Sequence, residues 1–279
     1  MIMKEISAEQ ITNTVAKLCM QACTELPCDV KQRIYHCRQQ ETWNTAKDVL
    51  DVIIENFETN GRIPLCQDTG AACVFINVGQ NVHINGNLYD AIHEGVAKGY
   101  TEGFLRKSIV KDPLNRVNTN DNTPAMIYTE IVPGDQLEII VAPKGFGSEN
   151  MSRIAMLKPA DGIEGIKRFV LETVELAGPN ACPPLSVGVG IGGTFDKAAL
   201  LAKKALLRDM DQRNNNPFYA ELETELLNSI NQLGIGPQGL GGLTTALSVA
   251  IEYLPTHIAG LPCAVNLNCH SARHASEVL

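Results

Sequence analysis

The chain has 279 residues, and 31 acidic against 23 basic residues give it a formal net charge of -8. Nucleic acids are not expected partners, because phosphate neutralisation needs clustered Lys and Arg and no such cluster occurs. No apolar run reaches the roughly 18 residues that are needed to cross a bilayer. The N-terminus lacks the basic and apolar blocks of a signal peptide, so we expect a cytoplasmic protein. Nine cysteines, an odd number, favour reduced thiols or metal ligands over a disulfide framework.

The first part of the chain is predicted to be helical. Apolar residues recur at helical spacing from Ile11 to Leu26 and from Val49 to Phe57, which gives a helical N-terminal portion over about 1–60, packed on the rest. Residues 72–84 then alternate as a strand does, so the segment Cys66-Gln67-Asp68-Thr69-Gly70 lies in the loop that leads into it. Loops held by a rigid scaffold often carry reactive groups.

The residue pattern in the middle of the chain predicts one helix and one hairpin. A helical stripe runs from Leu88 to Phe104, with Arg106 at its end. The β-branched segments 125–132 and 137–141 are joined by Pro133-Gly134-Asp135-Gln136, which indicates a hairpin. The second strand leads into Lys144-Gly145-Phe146-Gly147-Ser148-Glu149-Asn150-Met151, whose glycines suit close backbone approach to a ligand.

The last part predicts helices over 163–176, 196–207, 218–233 and 243–253, and a strand over 263–267. Residues Gly188 to Gly193 match the GxGxxG pattern of dinucleotide-binding loops. That pattern must follow a β-strand, and little room remains for a strand before Gly188. We therefore favour a tight turn that supports Cys182. The fold class is α+β, with small, partly antiparallel sheets around the iron–sulfur cluster site that three cysteines indicate below, and residues 1–279 are expected to form one catalytic domain.

Three widely separated cysteines, Cys66, Cys182 and Cys269, each stand in a polar or loop-forming setting. Three thiolates fit an iron–sulfur cluster with one iron left open, whereas the alternative for each is a buried small apolar residue. Cys19 and Cys23 follow a helical stripe instead, and their spacing to the next cysteines matches no zinc site.

Four motifs occur in this order: the Cys66 to Gly70 segment, the Lys144 to Met151 segment, Gly178-Pro179-Asn180-Ala181-Cys182-Pro183-Pro184, and Cys269-His270-Ser271-Ala272-Arg273-His274. They resemble the motifs of the class I fumarase and tartrate dehydratase family, specifically the α subunit of its two-subunit form.

The resemblance implies a set of site residues. Cys66, Cys182 and Cys269 would bind a [4Fe–4S] cluster, and Asp68 and His257 would be catalytic. The residues implied to bind substrate are Gln67, Asp68, Arg106, Gly145, Gly147 and His257. Taken alone, Arg106 also fits a solvated helix-end charge, and His257 a core imidazole. A lone Asp-Thr-Gly is no aspartic protease site, which needs two carboxylates.

The resemblance also implies the reaction, reversible hydration of the dicarboxylate fumarate to L-malate by an oxygen-sensitive enzyme of the tricarboxylic acid cycle. L-tartrate dehydratase is the alternative in the same class. A non-catalytic metal-binding regulatory subunit is the alternative in another class, and Gln67, Asp68 and Arg106 speak against it. A separate β subunit is expected to complete the site in a hetero-oligomer, and an α–α dimer stays open as a further assembly.

Overall fold

The computed structural model describes residues 3–58 and 63–279. The predicted helical opening is confirmed over its described part, after a short strand β1 (Lys4–Ser7): it forms α1 (Ala8–Thr24), α2 (Cys28–Gln40) and α3 (Asn44–Glu58). Ser7 begins α1 as a capping box, in which its hydroxyl accepts the Gln10 N–H at 3.2 Å and the Gln10 side chain accepts the Ser7 N–H at 2.9 Å.

The chain divides into two compact units. The first comprises 1–27, 59–146 and 273–279, and the second comprises 28–58 and 147–272. The helical opening is therefore shared, because α1 belongs to the first unit and α2 and α3 belong to the second. One catalytic domain over 1–279 stays a prediction. Within the described residues no helix is long and apolar enough to cross a membrane.

The first unit is built on a four-stranded sheet in the order β10-β5-β2-β4. Its strands are β2 (Ala71–Gly79), β4 (Met126–Val132), β5 (Leu137–Lys144) and β10 (Ala275–Val278). A separate strand β3 (Val82–Asn85) pairs in parallel with β1, and the helix α4 (Leu88–Glu102) confirms the predicted stripe. Apolar residues of α1, α4 and the sheet form one core, which includes Val15, Val74, Ile92, Val96 and Ile139.

The predicted hairpin is wrong. β4 and β5 both pair with β2, in parallel and antiparallel directions, so β2 lies between them. β2 is buried over Ala71–Ile76, and a strand of this kind takes a central place where both of its edges are paired. The 133–136 connection instead packs across the end of β2, where Gly79 N–H donates to the Gln136 carbonyl at 2.8 Å and Asn81 N–H donates to the Gly134 carbonyl at 2.9 Å.

The second unit holds another four-stranded sheet, in the order β6-β9-β7-β8. Its strands are β6 (Arg153–Leu157), β7 (Leu185–Gly193), β8 (Ala246–Thr256) and β9 (Leu261–Asn268). After the short α5 (Phe146–Glu149), the helices α6 (Gly162–Ala177), α7 (Phe195–Ala205) and α8 (Pro217–Gln232) confirm three predicted segments. With both sheets of mixed direction beside separate helices, the α+β class is confirmed.

The predicted helix over 243–253 is wrong, because most of it belongs to β8. The run from Ala246 to Ile251 is short and apolar, and such a run fits either a buried helix segment or a buried strand by periodicity alone. Pairing in parallel with the equally buried β7 decides in favour of the strand. The predicted strand over 263–267 is confirmed as part of β9.

The glycine-rich segment is neither a nucleotide loop nor a tight turn, because Gly188 to Gly193 are the last six residues of β7. An ideal Cβ at Gly188 would lie 2.1 Å from the Ala202 carbonyl oxygen, and one at Gly190 would lie 2.0 Å from that of Ala198. The glycines therefore let α7 pack directly on the strand backbone.

Replacing Gly190 with Ala should destabilise the second unit, because its Cβ needs the space that the Ala198 carbonyl occupies. We expect the free energy of unfolding, measured by urea titration, to fall by about 1–3 kcal/mol. Gly260→Ala is the matched control, since the nearest atoms to a Cβ there are 3.9 Å away. Equal stability of the two variants would contradict this account of the β7 glycines.

Candidate active site

One end of the first unit's sheet gathers the predicted site residues of that unit. β2 begins at Ala71, directly after the segment Cys66 to Gly70, and Ala71 pairs with Lys144, the last residue of β5. β10 runs antiparallel beside β5 and begins two residues after Arg273. The register of these strands therefore places the Cys66 to Gly70 loop, Gly145 and Arg273 at the same sheet end.

The main chain of this loop is held by buried side chains from four different parts of the unit. The carbonyls of Asp68, Thr69 and Gly70 all accept hydrogen bonds. The donors are Arg273 Nη2 to Asp68, Tyr100 Oη to Thr69 at 2.9 Å and to Gly70 at 3.0 Å, Asn122 Nδ2 to Gly70 at 3.2 Å, and Cys23 Sγ to Thr69 at 3.7 Å. All four donor residues are buried, so the conformation of the loop is fixed from inside.

The Asp68 carboxylate links two segments of the site. Its Oδ1 accepts the Gly70 N–H at 3.0 Å, and its Oδ2 accepts the Phe146 N–H at 2.9 Å. These bonds orient the carboxylate but leave it further acceptor capacity, because each carboxylate oxygen has two lone pairs. A proton acceptor in a fixed position is what a general base requires.

The other predicted residues of the first unit surround Asp68. An ideal Cβ at Gly145 would lie 3.4 Å from Asp68 Oδ2, so the glycine keeps that side of the carboxylate uncovered. Gln67 is exposed beside it. Arg106 is exposed four residues after α4, and its carbonyl accepts the Thr69 hydroxyl at 3.2 Å. The structure thus ties the main chain of Arg106 to the motif loop and leaves its guanidinium accessible.

In the second unit, sheet register brings two of the three predicted cluster cysteines to one end. Cys182 precedes β7 by three residues and Cys269 directly follows β9. The two strands are antiparallel neighbours with Ser186 opposite Asn268, so the start of one lies beside the end of the other. Both cysteines are partly exposed.

The loops that carry Cys182 and Cys269 are hydrogen bonded to each other. His270 N–H donates to the Cys182 carbonyl at 3.2 Å. Gln238 joins them, since its main-chain and side-chain N–H groups both donate to the Pro183 carbonyl at 2.8 Å and its Nε2 lies 3.1 Å from His270 Nδ1. Gly147 is also close, because a Cβ there would lie 3.5 Å from the Asn180 carbonyl oxygen.

His257 lies at the opposite end of the same sheet. It directly follows β8, which runs parallel to β7. Ala246, the first residue of β8, pairs with the first residue of β7, and the last residue of β8 pairs with Gly193, the last residue of β7. The 11 residues of β8 separate these ends by roughly 30 Å. His257 is exposed, and its Nδ1 accepts the Ala259 N–H at 3.1 Å. The fold of one chain therefore places His257 at the end of the sheet opposite Cys182 and Cys269. Its catalytic and substrate-binding role stays a prediction.

Four of the remaining cysteines differ from the three predicted ligands in burial, whereas Cys28 is exposed and Cys37 is partly exposed. Cys19, Cys23, Cys73 and Cys263 are buried, whereas Cys66, Cys182 and Cys269 are partly exposed. Burial raises the pKa of the Cys23 thiol to about 11 and that of Cys263 to about 12. Buried thiols with raised pKa values are inert packing groups, because the thiolate is the form that binds metal.

Within 3–58 and 63–279, no group of three or more His, Cys, Asp or Glu side chains is arranged to hold a metal ion. The chemistry of the three predicted ligands still fits an iron–sulfur cluster, because all three are partly exposed thiols beside segments whose main chains are hydrogen bonded. Arg273 also fits an anionic group, since it is buried and its Nε and Nη1 have no hydrogen-bond partner in the described residues.

Sequence reasoning did not identify Tyr100, Asn122 and Gln238 as supports of the site, and it gave Arg273 only as a residue near Cys269 that could tune or shield the cluster. Tyr100 belongs to a predicted helical stripe and Asn122 to an irregular loop, so neither carries a local signal. For Arg273 the only signal is its position four residues after Cys269, in the last shared motif.

Comparison with known proteins decides the family. The family model described as fumarate hydratase (Fumerase) matches residues 12–278, nearly the whole chain. The chain belongs to this family. Membership confirms the resemblance seen in the motifs and supports hydro-lyase chemistry.

Three relatives are named as tartrate enzymes. A Methanocaldococcus jannaschii protein with the provisional name L(+)-tartrate dehydratase subunit alpha is 45% identical over 95% of this chain and 96% of its own length. The L(+)-tartrate dehydratase subunit alpha of Escherichia coli UTI89 is 34% identical over 98% of this chain and 92% of its own. The protein of the same name in Shigella boydii is 33% identical over the same shares.

Proposed function

We propose that this chain is the α subunit of a hydro-lyase that removes water from L(+)-tartrate. The supporting observation is the 45% identity, over almost the full length of both chains, to a relative with that name. Tartrate differs from malate by one hydroxyl, so both reactions break the same kinds of bond. The preference for fumarate that the sequence suggested gives way to the names of the relatives, and malate and fumarate become the second candidate pair because the family description favours them.

The cofactor that we propose is a [4Fe–4S] cluster held by Cys66, Cys182 and Cys269. When bound, such a cluster supplies a Lewis acid at its open iron for the substrate's carboxylate and hydroxyl. The support from this chain is the contrast between these accessible thiols and the buried ones with raised pKa values.

We assign proton transfer to Asp68. Its carboxylate is oriented by two main-chain amides and bordered by Gly145, which leaves room for a substrate carbon on that side. Arg106 would hold a substrate carboxylate, because a guanidinium matches a carboxylate with two parallel hydrogen bonds and this one is exposed. Gln67 is exposed next to Asp68 and would donate to a substrate oxygen.

A β subunit would complete the active site. The relatives are named as alpha subunits, which supports a hetero-oligomer. A dicarboxylate carries two anionic groups, and Arg106 accounts for one of them. If His257 takes part, it would act from a second copy of the chain, because its own sheet separates it from Cys182 and Cys269. The cytoplasm remains the expected compartment.

The substrate prediction is tested with the α chain purified anaerobically together with its β partner. We expect kcat/KM for L(+)-tartrate to exceed that for L-malate by at least about 100-fold, because a site that hydrogen-bonds a substrate hydroxyl rejects an analogue without it. Higher kcat/KM for malate and fumarate would instead establish the second candidate. No turnover of any of them would contradict the hydro-lyase proposal.

The ligand prediction is tested by iron content. Cys66→Ser, Cys182→Ser and Cys269→Ser should each lose most of the bound iron after anaerobic reconstitution, because thiolates are the expected ligands. Cys28→Ser, at an exposed position, and Cys263→Ser, at a buried one, are the matched controls and should retain it. Iron loss in a control, or retention in all three ligand variants, would show that the assignment is wrong.

A further inference from the structure

Arg273 is a buried cation whose hydrogen-bonding capacity is mostly unused. The residue is 4% exposed. One nitrogen, Nη2, donates to the Asp68 carbonyl, whereas Nε and Nη1 are buried and have no partner among the described residues. Buried charges in proteins are normally paired and hydrogen bonded, so two orphaned N–H groups on one guanidinium indicate that something is bound there in the working protein.

The buried acidic side chains of Cys23 and Tyr100 do not neutralise this charge. Burial raises the pKa of Cys23 to about 11, despite the lowering effect of the Arg273 guanidinium, and burial also raises the pKa of Tyr100. Both side chains are therefore uncharged near neutral pH. The Asp68 carboxylate accepts two main-chain amides, and Arg273 contacts the carbonyl of that residue. None of these groups accepts a hydrogen bond from Nε or Nη1, so an anion at this position would complete the surroundings of the guanidinium.

We propose that Arg273 is a positioning residue that fixes the Asp68 main chain and presents Nε and Nη1 to an anion bound at the Cys66 to Gly70 loop. The inference rests on the proposed function for the identity of that anion, which is either the thiolate-bound cluster or a substrate carboxylate. Arginine suits both, because its planar fork directs several donors at once and it stays charged when buried. Lysine would keep the charge and lose the fork.

The positioning role is tested first in the iron-free chain by amide hydrogen exchange. The amides of Gly70 and Phe146 donate hydrogen bonds to the Asp68 carboxylate. In Arg273→Met these two amides should exchange at least about tenfold faster, which is the factor expected for losing one charge-assisted hydrogen bond. Arg273→Lys should restore part of the protection. Arg153→Met is the control for losing a partly buried arginine in the second unit, where its Nη1 forms an ion pair with Glu172 at 3.3 Å. Exchange rates unchanged in Arg273→Met would overturn the role.

The anion is identified in the reconstituted enzyme with its β partner. If the cluster is the anion, Arg273→Met should lose iron to a chelator about 10–100-fold faster than the parent. If a substrate carboxylate is the anion, iron retention should be unchanged and KM for L(+)-tartrate should rise about tenfold or more, the range for a lost ionic hydrogen bond. Unchanged iron retention and unchanged KM together would overturn anion binding. A parent protein that binds no iron would contradict the proposed function instead, and the exchange experiment would still decide the positioning role.

Discussion

Three consecutive carbonyls, those of Asp68, Thr69 and Gly70, set the main constraint on the first unit. Buried carbonyls must be paired, and these precede β2, so no strand ladder satisfies them. Their donors come from α1, α4, the loop before β4 and the segment before β10. Losing one donor would leave a buried acceptor unpaired, at a cost of about 1–3 kcal/mol. The loop therefore acquires its shape only when all four parts of the unit are in place, and Asp68 is held by the fold as a whole.

In the second unit, packing between a helix and a strand fixes the position of the predicted site residues. α7 lies against the glycines of β7, and this contact fixes the strand that follows Cys182. Sheet direction then decides which residues meet, because β7 and β9 are antiparallel and β7 and β8 are parallel. Cys269 comes beside Cys182 at one end, and His257 leaves the sheet at the other. A histidine 12 residues from a cysteine in sequence can thus lie a whole sheet away from it.

The sequence predicted the helices well because their signal is local. The apolar stripes of α1, α4, α6 and α8 repeat with the helical period, and each proved to be a helix. Strand pairing was the part that could not be predicted, because it depends on contacts between distant segments. β2 between β4 and β5, and β8 in place of a helix, both follow from partners far away in sequence. The GxGxxG pattern was misleading for the same reason, since its glycines accommodate a neighbouring helix. Four motifs pointed to the correct family and to Arg273 as a neighbour of Cys269, but the burial of Arg273 and its two unpartnered N–H groups became visible only once the chain was folded.

We propose that Cys66, Asp68 and their fixed loop serve an iron site that binds substrate directly. Mössbauer spectroscopy of the ⁵⁷Fe-loaded α and β assembly, recorded with and without L(+)-tartrate, is the sharpest test of this proposal. We expect tartrate to change the isomer shift of one iron and to leave the others unchanged, because a single open iron would gain oxygen ligands. Spectra that are identical with and without saturating tartrate, from an assembly that turns tartrate over, would contradict it.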